Sequence, residues 1–165
     1  MTDIQFHIAS SNDWEKFRDL RLFGLATDPQ AFGGNFANES ERDETEWRKR
    51  LGAFDRFFFI AEKEGIFVAV AGAKQVGPTR WMLIAVYTKP EFRGQGLAQK
   101  LTNFVLIETK NRSGEIVELM VNVDQKDAVR VYEKTGFKIV KTLKDEKMGD
   151  GKLHDEYQME KTLSD

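Results

Sequence analysis

Positions 93–98 read Arg-Gly-Gln-Gly-Leu-Ala, with a β-prone run before them and a helical pattern directly after. That arrangement can hold a phosphate. The first turn of a helix leaves backbone N–H groups without internal partners, and the helix dipole favours an anion beside them. Glycine lets a phosphate approach the main chain closely. Arg93, Gly94, Gln95, Gly96, Leu97 and Ala98 therefore form a candidate pyrophosphate cradle. The two glycines alone would serve a plain turn equally well. A dinucleotide fingerprint needs a third small residue where Gln99 stands. A Walker loop needs Gly-Lys-Ser/Thr, which is absent. With no Cys in the chain, thiolate metal sites, iron–sulfur clusters, disulfides and a Cys nucleophile are all excluded.

Elements of suitable length must position this cradle. Residues 4–8 are a short β-prone run. Asn12 with Glu15 has the spacing of a capping box, and Trp14, Phe17, Leu20 and Phe23 recur at helical spacing until Asp28-Pro29. Asp43 with Glu46 predicts a second cap, and Trp47, Leu51 and Phe54 a second amphipathic face. Three strands are expected over 56–63, 66–75 and 80–88, the first two joined by Glu64-Gly65. The second and third are apolar nearly throughout, as in a sheet covered on both faces. Leu97, Leu101, Phe104 and Val105 stripe a helix that Ser113-Gly114 ends. A strand over 116–123 follows. Asp124 then caps a helix bearing Ala128, Val131 and Tyr132, with Gly136 at its left-handed end. Residues 137–143 and 154–163 read as a hairpin around Gly149-Asp150-Gly151. The order β-α-α-β-β-β-α-β-α-β-β is of the α/β class with a mixed sheet.

A chain of 165 residues suits one domain, 1–165. Lys plus Arg is 25 against 27 for Asp plus Glu, a net charge of −2, which excludes a whole-surface basic footprint for nucleic acid. The start, MTDIQFHIAS, lacks the apolar core of a secretory signal. No apolar run approaches the roughly 20 residues of a membrane helix. The expectation is a cytoplasmic protein with neither membrane nor nucleic-acid partner, and with room for a homodimer.

Two segments carry a resemblance. Arg93-x-x-Gly96-x-Ala98 matches the R/Q-x-x-G-x-G/A motif of the GNAT superfamily of acyl-CoA-dependent N-acetyltransferases. Ala128-Val-Arg-Val-Tyr132-Glu-Lys-Thr-Gly136-Phe137 is similar to that family's A-x-x-x-Y-x-K-x-G-F signature. The chain departs at Gln125, where the family often has Asn, and at Thr88, where it often has Val. The resemblance implies a three-layer GNAT-like fold. Its mixed, mostly antiparallel sheet has about seven strands flanked by about four helices, splayed between the fourth and fifth strands.

The resemblance also implies roles. The backbone of Val86 and Thr88 would hydrogen-bond the pantetheine arm of acetyl-CoA as an added strand would. Backbone N–H groups of residues 93–98 would take the pyrophosphate, with the Arg93 side chain as a lesser aid. Asn122, Gln125 and Ala128 would line the cofactor from the following strand and helix. No metal is implied. The Tyr132 hydroxyl would protonate the departing thiolate, although an aromatic on such a helix is by default a packing residue. An N–H near Val86 would stabilise the oxyanion. The expected reaction moves an acetyl group from acetyl-CoA to a primary amine by direct attack in a ternary complex. The alternative is a module that binds acyl-CoA without catalysis.

The general base stays open between Glu39, Glu41, Glu46, Asn122 with a water, Asp155 and Glu156. Residues 28–50 would form the acceptor wall and 143–156 its opposite side. Their carboxylates predict a cationic small molecule or a protein amino group as acceptor, whereas the bland reading of 38–50 is a solvated helix.

Overall fold

Asp43 accepts the N–H of Glu46 at 2.9 Å and opens a helix as its spacing predicts. The structure is a computed structural model that describes residues 3–164. Met1 and Thr2 of the amino-terminal segment, and Asp165 at the end of the expected domain, lie outside the described residues. In chain order the elements are β1 (Gln5–Ile8), α1 (Trp14–Thr27), α2 (Phe36–Glu39), α3 (Glu44–Gly52), β2 (Arg56–Lys63), β3 (Ile66–Gln75), β4 (Arg80–Thr88), α4 (Leu97–Asn111), β5 (Ile116–Asn122), α5 (Lys126–Lys134), β6 (Lys138–Lys147) and β7 (Leu153–Thr162). Seven strands match the expectation, and the fifth helix is the one-turn α2.

Some local signals fell elsewhere than expected. The first cap is Ser10, whose N–H bonds Asp13 at 2.8 Å. Asn12 instead accepts from Arg48 on α3. Phe54 lies beyond the end of α3 and is 91% exposed, so it belongs to no packed face. Asp124 does not cap α5. Its own N–H is taken by the Asn122 side chain at 2.9 Å, and Gln125 stands at the cap position without a side-chain bond. Gly136, at φ 100°, ends α5 as predicted. Its N–H bonds Glu133 and that of Phe137 bonds Tyr132, the pairing of a left-handed helix end.

The sheet order is β1-β2-β3-β4-β5-β7-β6. Every neighbour pair is antiparallel except β4 and β5, which run parallel. They pair only where Arg80, Trp81 and Met82 meet Ile116, Val117 and Glu118. Beyond Met82 the two strands part. One face of the sheet packs Trp81, Leu83, Val117, Leu119 and Met159 against Leu97, Leu101 and Val105 of α4 and Tyr132 of α5. The other packs Phe58, Ile60, Phe67 and Val70 against Phe17 and Leu20 of α1 and Trp47 of α3.

α1, α2 and α3 are joined by charge as well as by apolar packing. Glu39, 4% exposed, accepts two bonds of 3.0 Å from Arg21 and one of 3.3 Å from Arg42, with Arg50 at 3.8 Å. Burial pushes its carboxyl upward, but the Arg21 bonds and the three guanidinium charges outweigh that and hold it below the ordinary range. Arg50 is pulled down to about 10, first by burial and then by Arg21. Glu39 is therefore neither a general base nor part of an acidic mouth, contrary to its place among the candidates. Glu39→Gln should destabilise the fold by about 3–5 kcal/mol at neutral pH, since three guanidiniums lose their counter-charge. The folded pKa lies below the unfolded one. The carboxylate's contribution is thus complete above the ordinary glutamate range and lost as pH falls through the folded value. Urea titrations of parent and variant should converge toward acid pH. A difference that stays constant with pH would refute this account.

Candidate active site

The parting of β4 from β5 leaves one edge of β4 without a strand partner. Lys89 donates its N–H to Val68 on β3 at 3.0 Å, and main-chain direction alternates along a strand. Val86 and Thr88 therefore aim their N–H and C=O groups at the open edge. A bulge between Val70 and Gly72 in the β3 pairing puts Ala85 at φ 59°, a conformation uncommon for any residue but glycine. Before the bulge Trp81 and Leu83 face α4. After it Val86 does, while Ala85 and Tyr87 turn to the α1 side. The kink thus changes which backbone groups and side chains look into the gap.

The cradle follows at the end of β4. Gly94 at φ 79° and Gly96 at φ 78° are both left-handed, a region that glycine enters without strain. Gly96 is the residue from which α4 starts. The N–H groups of Gly94, Gln95, Gly96, Leu97, Ala98 and Gln99 find no acceptor among the described residues, while Lys100 donates to Gly96 at 3.0 Å. Six unused donors at a helix start fit an anion. Arg93 stands apart from this row because its N–H already bonds Pro90 at 3.2 Å.

The Arg93 side chain is also engaged elsewhere. Its Nε donates to the Thr88 carbonyl at 2.9 Å and its Nη2 to Asp28 at 2.9 Å, with the guanidinium over the Tyr87 ring. Tyr87 donates its hydroxyl to the same Asp28 oxygen at 3.0 Å. Burial and the Asp28 carboxylate both raise the Tyr87 phenol above its ordinary value. This trio straps the cradle loop to the end of α1. It engages one lone pair of the Thr88 carbonyl and leaves that residue's N–H free for a ligand. Sequence reasoning missed Tyr87 and Asp28, which are 59 residues apart and share no local pattern.

Across the gap, Tyr132 is 7% exposed and joins Val86, Val121, Leu97 and Ala128 in one cluster. Its ring meets Phe137 edge-on at 6.0 Å. The hydroxyl has no hydrogen-bond partner among the described residues, and burial raises its pKa, so it stays protonated at neutral pH. Asn122 is buried and fully employed: it donates to Gln30 at 3.1 Å and accepts from Asp124. The Gln125 N–H bonds the Asn122 carbonyl at 2.9 Å. Of the predicted cofactor residues, the fold brings Val86, Leu97 and Ala128 into one cluster with the predicted catalytic Tyr132. Asn122 and Arg93 are turned to structural partners.

The two acceptor walls meet directly. Gly149, in the turn between β6 and β7, donates to Phe32 at 2.6 Å. Any Cβ there would collide with the carbonyls of Gly34 and Pro29, so the turn needs glycine. The expected entry between these segments is bridged at this point.

A sheet parted between a parallel pair, with a row of unused backbone N–H groups at the fork, offers an open strand edge beside an anion-binding turn. The sequence profile of the acetyltransferase (GNAT) family matches residues 12–137, and the chain belongs to that family. It is 35% identical over 95 residues to N-alpha-acetyltransferase 30 of Schizosaccharomyces pombe, a match covering 55% of this chain and 63% of that one. It is 29% identical over 117 residues to an uncharacterized N-acetyltransferase of Methanocaldococcus jannaschii, covering 54% and 52%. The matches thus span less than two thirds of either relative. The Salmonella typhimurium protein yncA, solved with its cofactor acetyl-CoA, has the same fold. Its TM-score is 0.83 at 15% identity over 99% of this chain and 95% of that one. Among the described residues no helix is long and apolar enough to cross a membrane.

Proposed function

We propose that this chain transfers an acetyl group from acetyl-CoA to a primary amine by direct attack in a ternary complex, and that a peptide or protein α-amino group is the acceptor it suits best. The observation that carries the reading is the row of unused N–H groups at 94–99 beside the open edge of β4. The row suits a pyrophosphate and the edge suits an amide-bearing arm. When bound, acetyl-CoA supplies the activated acyl carbon.

The chain's own groups do the rest. The cradle and the Val86 backbone orient the thioester. The Val86 N–H donates toward oxygen as charge develops there. Tyr132 holds a proton for the departing sulfur. The α-amine preference has a chemical reason. An α-amino group has a pKa near 7.7–8.0 against roughly 10.4 for a lysine-type amine, so a carboxylate of modest basicity can free it. The name of the Schizosaccharomyces pombe relative agrees with such an acceptor.

Calorimetry with acetyl-CoA, followed by thiol release with an alanine-initiated peptide, the same peptide blocked at its amino terminus, and spermidine, tests this. Binding with release only for the free peptide is expected. Binding with no release for any amine would make the chain a non-catalytic acyl-CoA module. Release with spermidine alone would move the acceptor to polyamines.

A further inference from the structure

We infer that Glu156 is the group that takes a proton from the acceptor amine, with Glu146 as the charge behind it, an inference that rests on the acetyl-transfer reading above. Glu156 on β7 stands directly opposite Asn122 on β5 and Leu143 on β6. Residues opposite one another in a sheet share a face. Asn122 turns toward Gln30, in the connection from α1 to α2, so Glu156 looks to that side. The other face is filled by Val117, Leu119, Val121 and Met159 against α4 and α5. An amine meeting a thioester held in the gap must therefore come over the Glu156 face.

Five other carboxylates around that site, and Glu39, are engaged. Arg80 holds Glu118 at 3.2 Å and Glu160 at 2.8 Å. Asp28 accepts from Tyr87 and Arg93. Asp150 accepts the Lys152 N–H and pairs with His154 at 2.8 Å. Asp155, one residue away and on the opposite face, is bonded by Lys144 and by the Asp145 N–H. Glu39 is locked among three arginines.

The carboxylates of Glu156 and Glu146 make no hydrogen bond among the described residues, and Glu156 is one strand nearer the gap. Glu146 lies opposite His154, and His154 is two places from Glu156 on the same face. Partial burial first, and then the Glu146 charge, raise the Glu156 pKa, which His154 only partly offsets. On β5 the residues of this face beside the gap, Met120 and Asn122, carry no base.

The proton count closes. Glu156 takes one proton from the ammonium and passes it to solvent. The nitrogen lone pair then forms the C–N bond as the C–S bond breaks, and sulfur takes the Tyr132 proton. The second nitrogen proton, released as the amide forms, returns to Tyr132 through water.

Thiol release from acetyl-CoA with an alanine-initiated peptide provides the kinetic test. E156Q should lower kcat by about 10²-fold or more, erase the acid limb of the kcat–pH profile and leave acetyl-CoA affinity by calorimetry unchanged. E146Q should move that limb to lower pH, because removing a like charge eases ionisation of Glu156. D155N should match the parent. An E156Q enzyme within about threefold of the parent, with the same profile, overturns the inference. A second measurement needs no turnover. Carbon NMR of glutamate-labelled protein should show Glu156 titrating above the ordinary glutamate range and falling in E146Q. An ordinary titration overturns the inference, whereas absence of thiol release from the parent with every amine refutes the acetyl-transfer reading instead.

Discussion

Gly96→Asp should abolish acetyl-CoA binding while leaving a folded protein. The position is open, with nothing within 4 Å of an added Cβ, so the side chain meets no steric barrier in the fold. Two effects then act, one on the backbone and one on the ligand. The left-handed φ of 78° costs a non-glycine residue roughly 1–2 kcal/mol. The new carboxylate also stands among the six N–H groups of residues 94–99, where it takes donors meant for phosphate and repels its charge. Each charge-assisted bond lost is worth about 1.5–3 kcal/mol, so losing two of them lowers affinity by at least about 100-fold. Asn tolerates the left-handed region at least as well as Asp and carries no charge. Gly96→Asn should therefore weaken binding far less. Calorimetry on both variants, with melting curves to show that each is folded, makes the comparison. Equal affinity of the parent and a folded Gly96→Asp protein would remove the pyrophosphate from this loop.

Tyr132→Phe should reduce kcat by roughly 10²–10⁴-fold, the usual worth of a positioned proton donor. Acetyl-CoA affinity should barely change. The ring still packs against Phe137 and the apolar cluster around Val86 and Val121. The deleted hydroxyl has no partner within the protein to leave unsatisfied. Burial raises the Tyr132 pKa, so the hydroxyl is protonated across the neutral range. The ratio of parent to variant kcat should then stay flat from about pH 6 to pH 9. Single-turnover thiol release over that range measures it. A variant within about tenfold of the parent would mean that water supplies the proton and that Tyr132 is a packing residue.

Much of the scaffold was legible in the residues themselves. The strands at 56–63, 66–75 and 80–88 end where predicted, because turn residues and apolar runs are local signals. The same holds for the cap at Asp43 and the left-handed end at Gly136. Each depends on contacts within a few positions, so a linear string can encode it. The cradle was readable for the same reason: its donors come from the backbone of one turn. Where neighbouring signals competed, the local reading slipped, as at Ser10 against Asn12 and at Asn122 against Asp124.

What the linear order does not carry are the meetings between distant segments, and these decide the site. The bulge at Ala85 depends on the β3 partner strand rather than on any residue preference for φ 59°. Arg93 matches the family motif, yet its guanidinium goes to Asp28, 65 residues earlier. Glu39 looks like one more surface carboxylate until three arginines from α1, α3 and the turn between α2 and α3 close on it. Asp155 and Glu156 are adjacent and chemically alike in the sequence. Strand alternation sends one to Lys144 and the other to the face beside Asn122. Charge and residue type were set by the sequence, but which carboxylates are neutralised was decided by packing, because ion pairing acts across space and not along the chain.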